Sequence, residues 1–285
     1  MEKYKVLLGV PSNGHISEGS SRASWLCSLH HTVMRHASAN PSGPNFNPLW
    51  CDALNAAREG KVTHFAMIHA DLTVHEDEEG KRWIDRLIEE MEEHDLDFVS
   101  CPNAIKDARG LTSSGIGNPD NPWNPWRRFT VAELAAFPKT FTIGDTEHPD
   151  KFLLHNHALC VWDLRNPDWQ IVQPDGTQLV LFNFPEKIEW DEAQKKWVRW
   201  QESDDWYFSR RLWQGGFRTA ITKRIKLGHH GGMEYENWGE WGCFRDGDED
   251  TAPQWRADPK RVVTHSDTAA GAVLEAVEDF EPAPA

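Results

Sequence analysis

The sequence predicts an α/β fold, a mostly parallel sheet flanked by helices, over residues 1–242, followed by an acidic Ala/Pro-rich tail over 243–285. Three observations predict it. Short apolar runs suited to buried strands alternate with amphipathic helical stretches through the first hundred residues, the order that builds a parallel sheet with helices packed on it. The run Phe65-Ala66-Met67-Ile68 is short and apolar and ends abruptly in His69-Ala70-Asp71. Ligands of open α/β sheets bind beyond the carboxyl ends of such strands, so this one either delivers metal-capable side chains to a site or ends in an Asp that caps the next turn. From Asp246 onward ten acids stand against three bases, the composition of an extended or mobile tail.

Taken in order, Tyr4 to Val10 reads as a strand stopped by the turn cluster Pro11-Ser12-Asn13-Gly14. Ser20 to about Arg35 reads as the following helix. Asn40 to Pro48 is a Pro/Asn/Gly loop, and Leu49 to Arg58 is a second helix ending before Gly60. Trp83, Leu87 and Met91, with Ile84 and Ile88, recur at helical spacing beneath an acidic outer face. Asp97 to Cys101 is the next strand. Arg109 to Gly117 reads as a small-residue loop able to bring backbone amides to a phosphate, although such loops are common. Thr130-Val131-Ala132-Glu133 matches a capping box at the start of a short helix closed by Pro138.

Phe152 to Trp162 is apolar at both ends with His155-Asn156-His157 in its middle, as in a strand crossing the floor of a site. Lys187 to Trp200 alternates charges with tryptophans and reads as a surface hairpin or an inserted arm. Asp204 and Asp205 open a helix that ends at Gly215-Gly216; acids there are ordinarily dipole partners and caps. Thr219 to Leu227 reads as a strand closed by Gly228-His229-His230-Gly231-Gly232.

Composition narrows the function. No apolar run approaches the roughly 18 residues of a membrane span, and the first residues open into a strand rather than a signal peptide. Five cysteines without a C-x-x-C argue against a zinc ribbon or disulfide framework and suit a reducing cytosol, hence a cytoplasmic protein. The net charge of −15 disfavours a general nucleic-acid-binding surface, though much of it sits in the tail. There is neither G-x-G-x-x-G nor G-x-x-x-x-G-K-[ST], so no Rossmann dinucleotide site or P-loop is indicated. Among fifteen tryptophans, Trp123, Trp126, Trp238 and Trp241 sit in Pro/Asn/Gly-rich stretches, where flat rings either stack on sugars and bases or pin their loops.

Three pieces need a common reason: a strand ending in His69-x-Asp71, the pair Asp204-Asp205, and a strand ending in His229-His230-Gly231. Their order over residues 4 to 242 resembles the GT-A nucleotide-sugar glycosyltransferases, in the compact forms common in phage and environmental sequences. Ala66 to Leu72 is similar to the D-x-D strand end, with His69 in place of the leading Asp. Asp204-Asp205-Trp206-Tyr207-Phe208 is similar to the acidic helix motif, with Asp204 in place of Glu, and His229-His230-Gly231 to the C-terminal H-x-G.

The resemblance implies that Asp71 with His229 or His230 holds Mn²⁺ or Mg²⁺ against the diphosphate, a mixed O/N site more congenial to Mn²⁺. It implies that Asp205, or failing that Asp204, is the base that deprotonates the acceptor hydroxyl. His69 stands where the family contacts ribose and metal. Pro11, Ser12 and Asn13 would lie at the base and ribose, Arg109 and Ser113 at the donor sugar or diphosphate, and Asn156 on the sugar side. The donor implied is a nucleotide-sugar, a UDP-sugar foremost; the acceptor hydroxyl stays open among a DNA base such as hydroxymethylpyrimidine, a glycan and a protein. Two rivals remain. His69, Asp71 and His229 also spell the ligand set of a non-haem Fe(II)/2-oxoglutarate oxygenase, which needs a β-sandwich barrel. The tryptophans would also serve a non-catalytic carbohydrate-binding protein.

Overall fold

The computed structural model describes residues 4–241 except 13, 39–42, 76, 78, 108, 232–233 and 240. The expected tail and Cys243 lie outside the described residues. In chain order the elements are β1 (Lys5–Pro11), α1 (Glu18–Trp25), β2 (Thr32–Ser38), α2 (Asn47–Arg58), β3 (His64–Ile68), β4 (Leu72–Val74), α3 (Trp83–His94) and β5 (Phe98–Ser100). There follow β6 (Leu111–Gly117), β7 (Arg127–Thr130), α4 (Val131–Leu134), β8 (Thr140–Phe141), β9 (Phe152–Leu154) and β10 (Leu159–Asp163). The chain continues through β11 (Glu186–Asp191), β12 (Lys196–Gln201), α5 (Asp204–Gln214), β13 (Thr219–Thr222), β14 (Leu227–His230) and β15 (Glu234–Glu236).

The main sheet has seven strands in the order β2-β1-β3-β10-β5-β13-β8. β2, β1, β3, β5 and β13 share one direction; β10 and β8 run against it. The expectation of an α/β fold on a mostly parallel sheet is met at that level. Alternate residues of each strand serve opposite faces. Val6, Leu8, Ala66 and Ile68 join the core under α3, with Trp83, Leu87 and Met91. Leu7, Phe65 and Met67 join the other core with Trp50 of α2 and Phe208 and Leu212 of α5. That second core is built of aromatic rings, among them Phe65 stacked on Trp162 at 4.8 Å and Phe182 on Phe208 at 4.8 Å.

Four local expectations need correction. The helix expected over Ser20–Arg35 stops at Trp25, because Ser28 Oγ and the Asp85 carboxylate accept from the amides of Leu29, His30 and His31, bonds that compete with a helix. Thr32–Ser38 then becomes the edge strand beside β1. The expected loop Arg109–Gly117 is mostly strand β6, paired with β7 and β9 in a separate three-stranded sheet. Gly115 is required there, since a Cβ would lie 2.2 Å from the Arg127 carbonyl oxygen.

Phe152–Trp162 is two strands in two sheets, broken at His155–Ala158. Thr219–Leu227 likewise divides: β13 ends in the main sheet and β14 joins β4 and β15 in another, so Gly228, His229 and His230 are strand rather than a closing turn. The hairpin β11–β12, the helices α2, α3 and α5 and the capping box at Thr130 stand as expected.

Candidate functional site at the carboxyl edge of the sheet

The turn after β3 is held from three sides. The His69 amide donates to the Ala158 carbonyl at 2.8 Å, at the start of β10. The Asp71 carbonyl accepts from the His230 amide of β14 at 2.8 Å, and the Ala70 carbonyl from the Ser17 amide ahead of α1 at 2.8 Å. Buried Ser20 on α1 completes the clamp: its hydroxyl accepts from the Leu72 amide at 2.9 Å and lies 2.6 and 3.0 Å from the carbonyls of Leu72 and His69. Such a turn has little freedom, and the Asp71 carboxylate is aimed by its backbone.

Asp71 faces His229 and Lys106. Its Oδ2 lies 3.3 Å from His229 Nε2 and 2.6 Å from Lys106 Nζ, while its Oδ1 is shielded from solvent without a hydrogen-bond partner. Burial works to raise the Asp71 pKa, but the hydrogen bonds from His229 and Lys106 outweigh it and hold the carboxylate well below its usual range. The other ring nitrogen of His229, Nδ1, donates to the Ala104 carbonyl at 2.8 Å. A carbonyl can only accept, so Nδ1 carries a proton and the ring is held with Nε2 as the nitrogen turned toward Asp71, as in histidines that ligate metals. An anionic oxygen, an oriented imidazole and an orphaned carboxylate oxygen fit a divalent cation of the Mn²⁺ or Mg²⁺ type.

A second cluster lies beside it. His157, from the break between β9 and β10, places Nδ1 on Asp205 Oδ1 in a short ion pair and Nε2 at 3.5 Å from Asp204 Oδ2. The backbone explains the two acids. They open α5, where the free amides of the first turn favour negative charge. Burial disfavours the His157 imidazolium, yet Asp205 and Asp204 together raise its pKa to about 10, so it stays charged at neutral pH. For Asp204 burial acts upward, and the His157 charge and hydrogen bond lower it on balance.

Asp205 Oδ2 also accepts from Asn156 Nδ2 at 3.2 Å, and Asn156 reaches Ser113 Oγ at 2.5 Å. Phe46, Phe182 and Phe208 surround the His157 ring. Asp204, Asp205 and His157 also bring three ligand-type atoms within 4.8 Å of one another.

His69 sits between the two clusters. Its ring is 5.5 Å from that of His157 and 5.2 Å from Phe46, and its Nε2 is shielded and unpartnered. Burial and the neighbouring His157 charge lower its pKa to about 3, so it is a neutral imidazole that feels Asp71, Asp204 and His229 at once.

Pro11 ends β1 at the same edge, in register with Ser38, and buried Ser12 just after it spends its hydroxyl on the Gly14 amide and the His15 carbonyl. Asn13 lies outside the described residues. Arg109 pairs with Asp107, two residues away, at 2.8 Å. His230 is on the far face of β14 from His229, as strand alternation requires, with its Nε2 on Thr73 Oγ1. The structure therefore brings together His69, Asp71, His229, Ser113, Asn156, Asp204 and Asp205, and turns His230 away.

Sequence reasoning missed His157, Lys106 and Ser20 as site residues. His157 was visible only as the second histidine of H-N-H; nothing in the sequence pointed to the other two. The oxygenase reading loses its frame, because the sheet is not a barrel and, among the described residues, His69, Asp71 and His229 do not converge as three ligand atoms. The loop tryptophans are partly structural: Trp241 is buried with its indole N–H on the Trp238 carbonyl, and Trp126 bonds His148 beneath Lys151.

No family model matches the chain, and no curated protein does. Among solved structures, A197 from STIV is similar at 13% identity and a TM-score of 0.44, over 79% of this chain and 85% of that one. A point mutant of UDP-glucose pyrophosphorylase from Leishmania major, solved with UDP-Glc, is similar at 12% identity and a TM-score of 0.28, over 76% of this chain and 51% of that one. No helix among the described residues is long and apolar enough to cross a membrane.

Proposed function

We propose that the chain is a metal-dependent glycosyltransferase of the GT-A kind, moving a sugar from a nucleotide-sugar, a UDP-sugar foremost, to an acceptor hydroxyl. The observation that carries this reading is the position of neutral His69 between an oriented carboxylate–imidazole pair and an acidic pair on a helix N-terminus. Glycosyl transfer asks for both: a cationic grip on a departing diphosphate at one end, and a proton acceptor for the incoming hydroxyl at the other.

Asp71 and His229 are the residues that would hold Mn²⁺ or Mg²⁺, and the ion when bound would neutralise charge on the leaving nucleoside diphosphate. Lys106, already at Asp71, adds a positive charge for phosphate oxygens beside it. Written for inversion, the Asp205 carboxylate takes the acceptor hydroxyl proton. The acceptor oxygen forms its bond to the anomeric carbon as the carbon–phosphate oxygen bond breaks, and that bond's electron pair leaves with the diphosphate. His157, a positioning residue, fixes the Asp205 and Asp204 carboxylates by its charge; Asn156 orients the oxygen of Asp205 that His157 does not hold. His69 offers its unpartnered Nε2 to a donor hydroxyl.

The test is release of nucleoside diphosphate from a panel of UDP-, GDP-, CMP- and dTDP-sugars in Mn²⁺. One donor should be consumed slowly by water. Asp205→Asn should lower turnover by about 10²- to 10⁴-fold, the range for loss of a general base, with donor binding retained. Consumption of no donor, or equal rates in Asp205→Asn, would overturn the proposal.

A further inference from the structure

The hairpin β11–β12 is the part of the described chain that the site leaves unexplained. It forms a two-stranded sheet of its own, and such ribbons are marginal in isolation. Apolar side chains on it face solvent: Ile188 and Trp197 are each 68% exposed and Trp190 is 42% exposed. Trp190 and Trp197 are directly cross-strand, ring centroids 5.6 Å apart, with Ile188 on the same face by strand alternation. On the opposite face Lys187 Nζ lies 5.4 Å from the Trp123 ring and 5.9 Å from that of Trp200, whose indole N–H is shielded and without an acceptor. A ribbon kept only for folding has no reason to hold three large apolar side chains in water.

The arm is fixed where it meets the site. The Glu202 amide donates to the Pro185 carbonyl at 3.0 Å across its base, and the buried Glu202 carboxylate takes two hydrogen bonds from Arg210 of α5, at 2.9 and 2.6 Å. Three residues beyond Glu202 stands Asp205. The ribbon is thus anchored at its base on the helix that carries the acidic pair, with Trp190 and Trp197 toward its far end, one pair from the turn.

Charge and side-chain type select the ligand. Residues 186–201 hold four acids and four bases, so the arm has no net field for a polyanion, and the chain as a whole is at −15. Flat indoles interleaved with Glu, Asp, Lys, Arg and Gln hydrogen-bonding groups suit a neutral ligand with apolar ring faces and a hydroxylated rim. We propose that the β11–β12 arm is the acceptor-binding surface and that the acceptor is a neutral oligosaccharide, held by stacking on Trp197 and Trp190. The direction of transfer rests on the glycosyltransferase reading; the binding does not.

The experiment is isothermal titration of the full chain with cellohexaose, maltohexaose and chitohexaose, and with a single-stranded oligothymidylate as the polyanion. It compares the wild type, Trp197→Ala, Trp190→Ala, and Trp25→Ala, a control at an exposed indole elsewhere. One hexasaccharide should bind. Trp197→Ala should weaken it roughly tenfold or more with melting temperature unchanged, Trp190→Ala should weaken it too, and Trp25→Ala should not. Binding of no hexasaccharide, equal binding by Trp197→Ala, or preference for the oligothymidylate would overturn the proposal. Loss at Trp197 in a protein that consumes no donor upholds the arm and removes the transfer reading. Donor consumption with hexasaccharide binding indifferent to Trp197 does the reverse.

Discussion

A histidine held between two carboxylates and a histidine buried without one respond to pH in opposite directions. His157 has its pKa raised to about 10 by Asp205 and Asp204 against the pull of burial. Its contribution to stability is complete below the unfolded value of about 6.5 and is lost as pH rises through about 10. The difference in unfolding free energy between wild type and His157→Gln, measured in urea, should therefore be large at pH 6 and shrink toward pH 10. A difference independent of pH would mean that His157 is not charged in the folded chain. Asp205 was legible in the sequence because it opens a recognisable helix after a hairpin. The histidine that fixes it was not, since the pairing joins residues 48 apart in sequence and only the break between β9 and β10 brings them together.

At the scale of elements, α1 does more than cover the sheet. Ser20 and Ser17 tie its first turn to the backbone of His69, Ala70 and Leu72, and Gly19 lets the helix close on β4: a Cβ there would lie 2.2 Å from Thr73 Oγ1 and 3.0 Å from Thr73 Cα. Gly19→Ala should push the helix away and cost about 1–3 kcal/mol, as overpacking does, read as a lowered urea midpoint. Ser20→Ala leaves the buried Leu72 amide without its acceptor and should cost a similar amount. Both should weaken Mn²⁺-dependent stabilisation by nucleotide more than a destabilising change of the same size remote from the turn, such as Thr130→Ala at the capping box of α4. Equal weakening by all three would show that the turn is not specially held. The periodicity of α2, α3 and α5 announced those helices, whereas α1 and β2 were merged, because Ser28 and Asp85 end the helix through side-chain bonds that no period records.

For the whole molecule the alternating order fixed the class of fold, and apolar runs placed the strands of its centre. They could not show that two of those runs change sheets midway, since a strand that leaves one sheet for another keeps the same apolar pattern. The molecule's pH profile follows from its buried histidines taken together. His64, His69 and His155 are lowered to about 4, 3 and 3, all chiefly by burial, and stability they contribute in the neutral form is lost as pH falls below about 6.5. With His157 acting above that value, melting temperature should peak near pH 6–7 and fall more steeply on the acid side, where three protons are taken up against one released. A profile flat from pH 5 to 9 would contradict this. The glycosyltransferase proposal stands on Asp71 and His229 as the residues that would hold a divalent cation for a nucleoside diphosphate. The most direct measurement is the anomalous difference density of crystals grown with Mn²⁺ and UDP. A peak is expected in contact with an Asp71 carboxylate oxygen and His229 Nε2, lost in Asp71→Ala; a peak among His157, Asp204 and Asp205 instead, or none with UDP bound, would overturn the assignment.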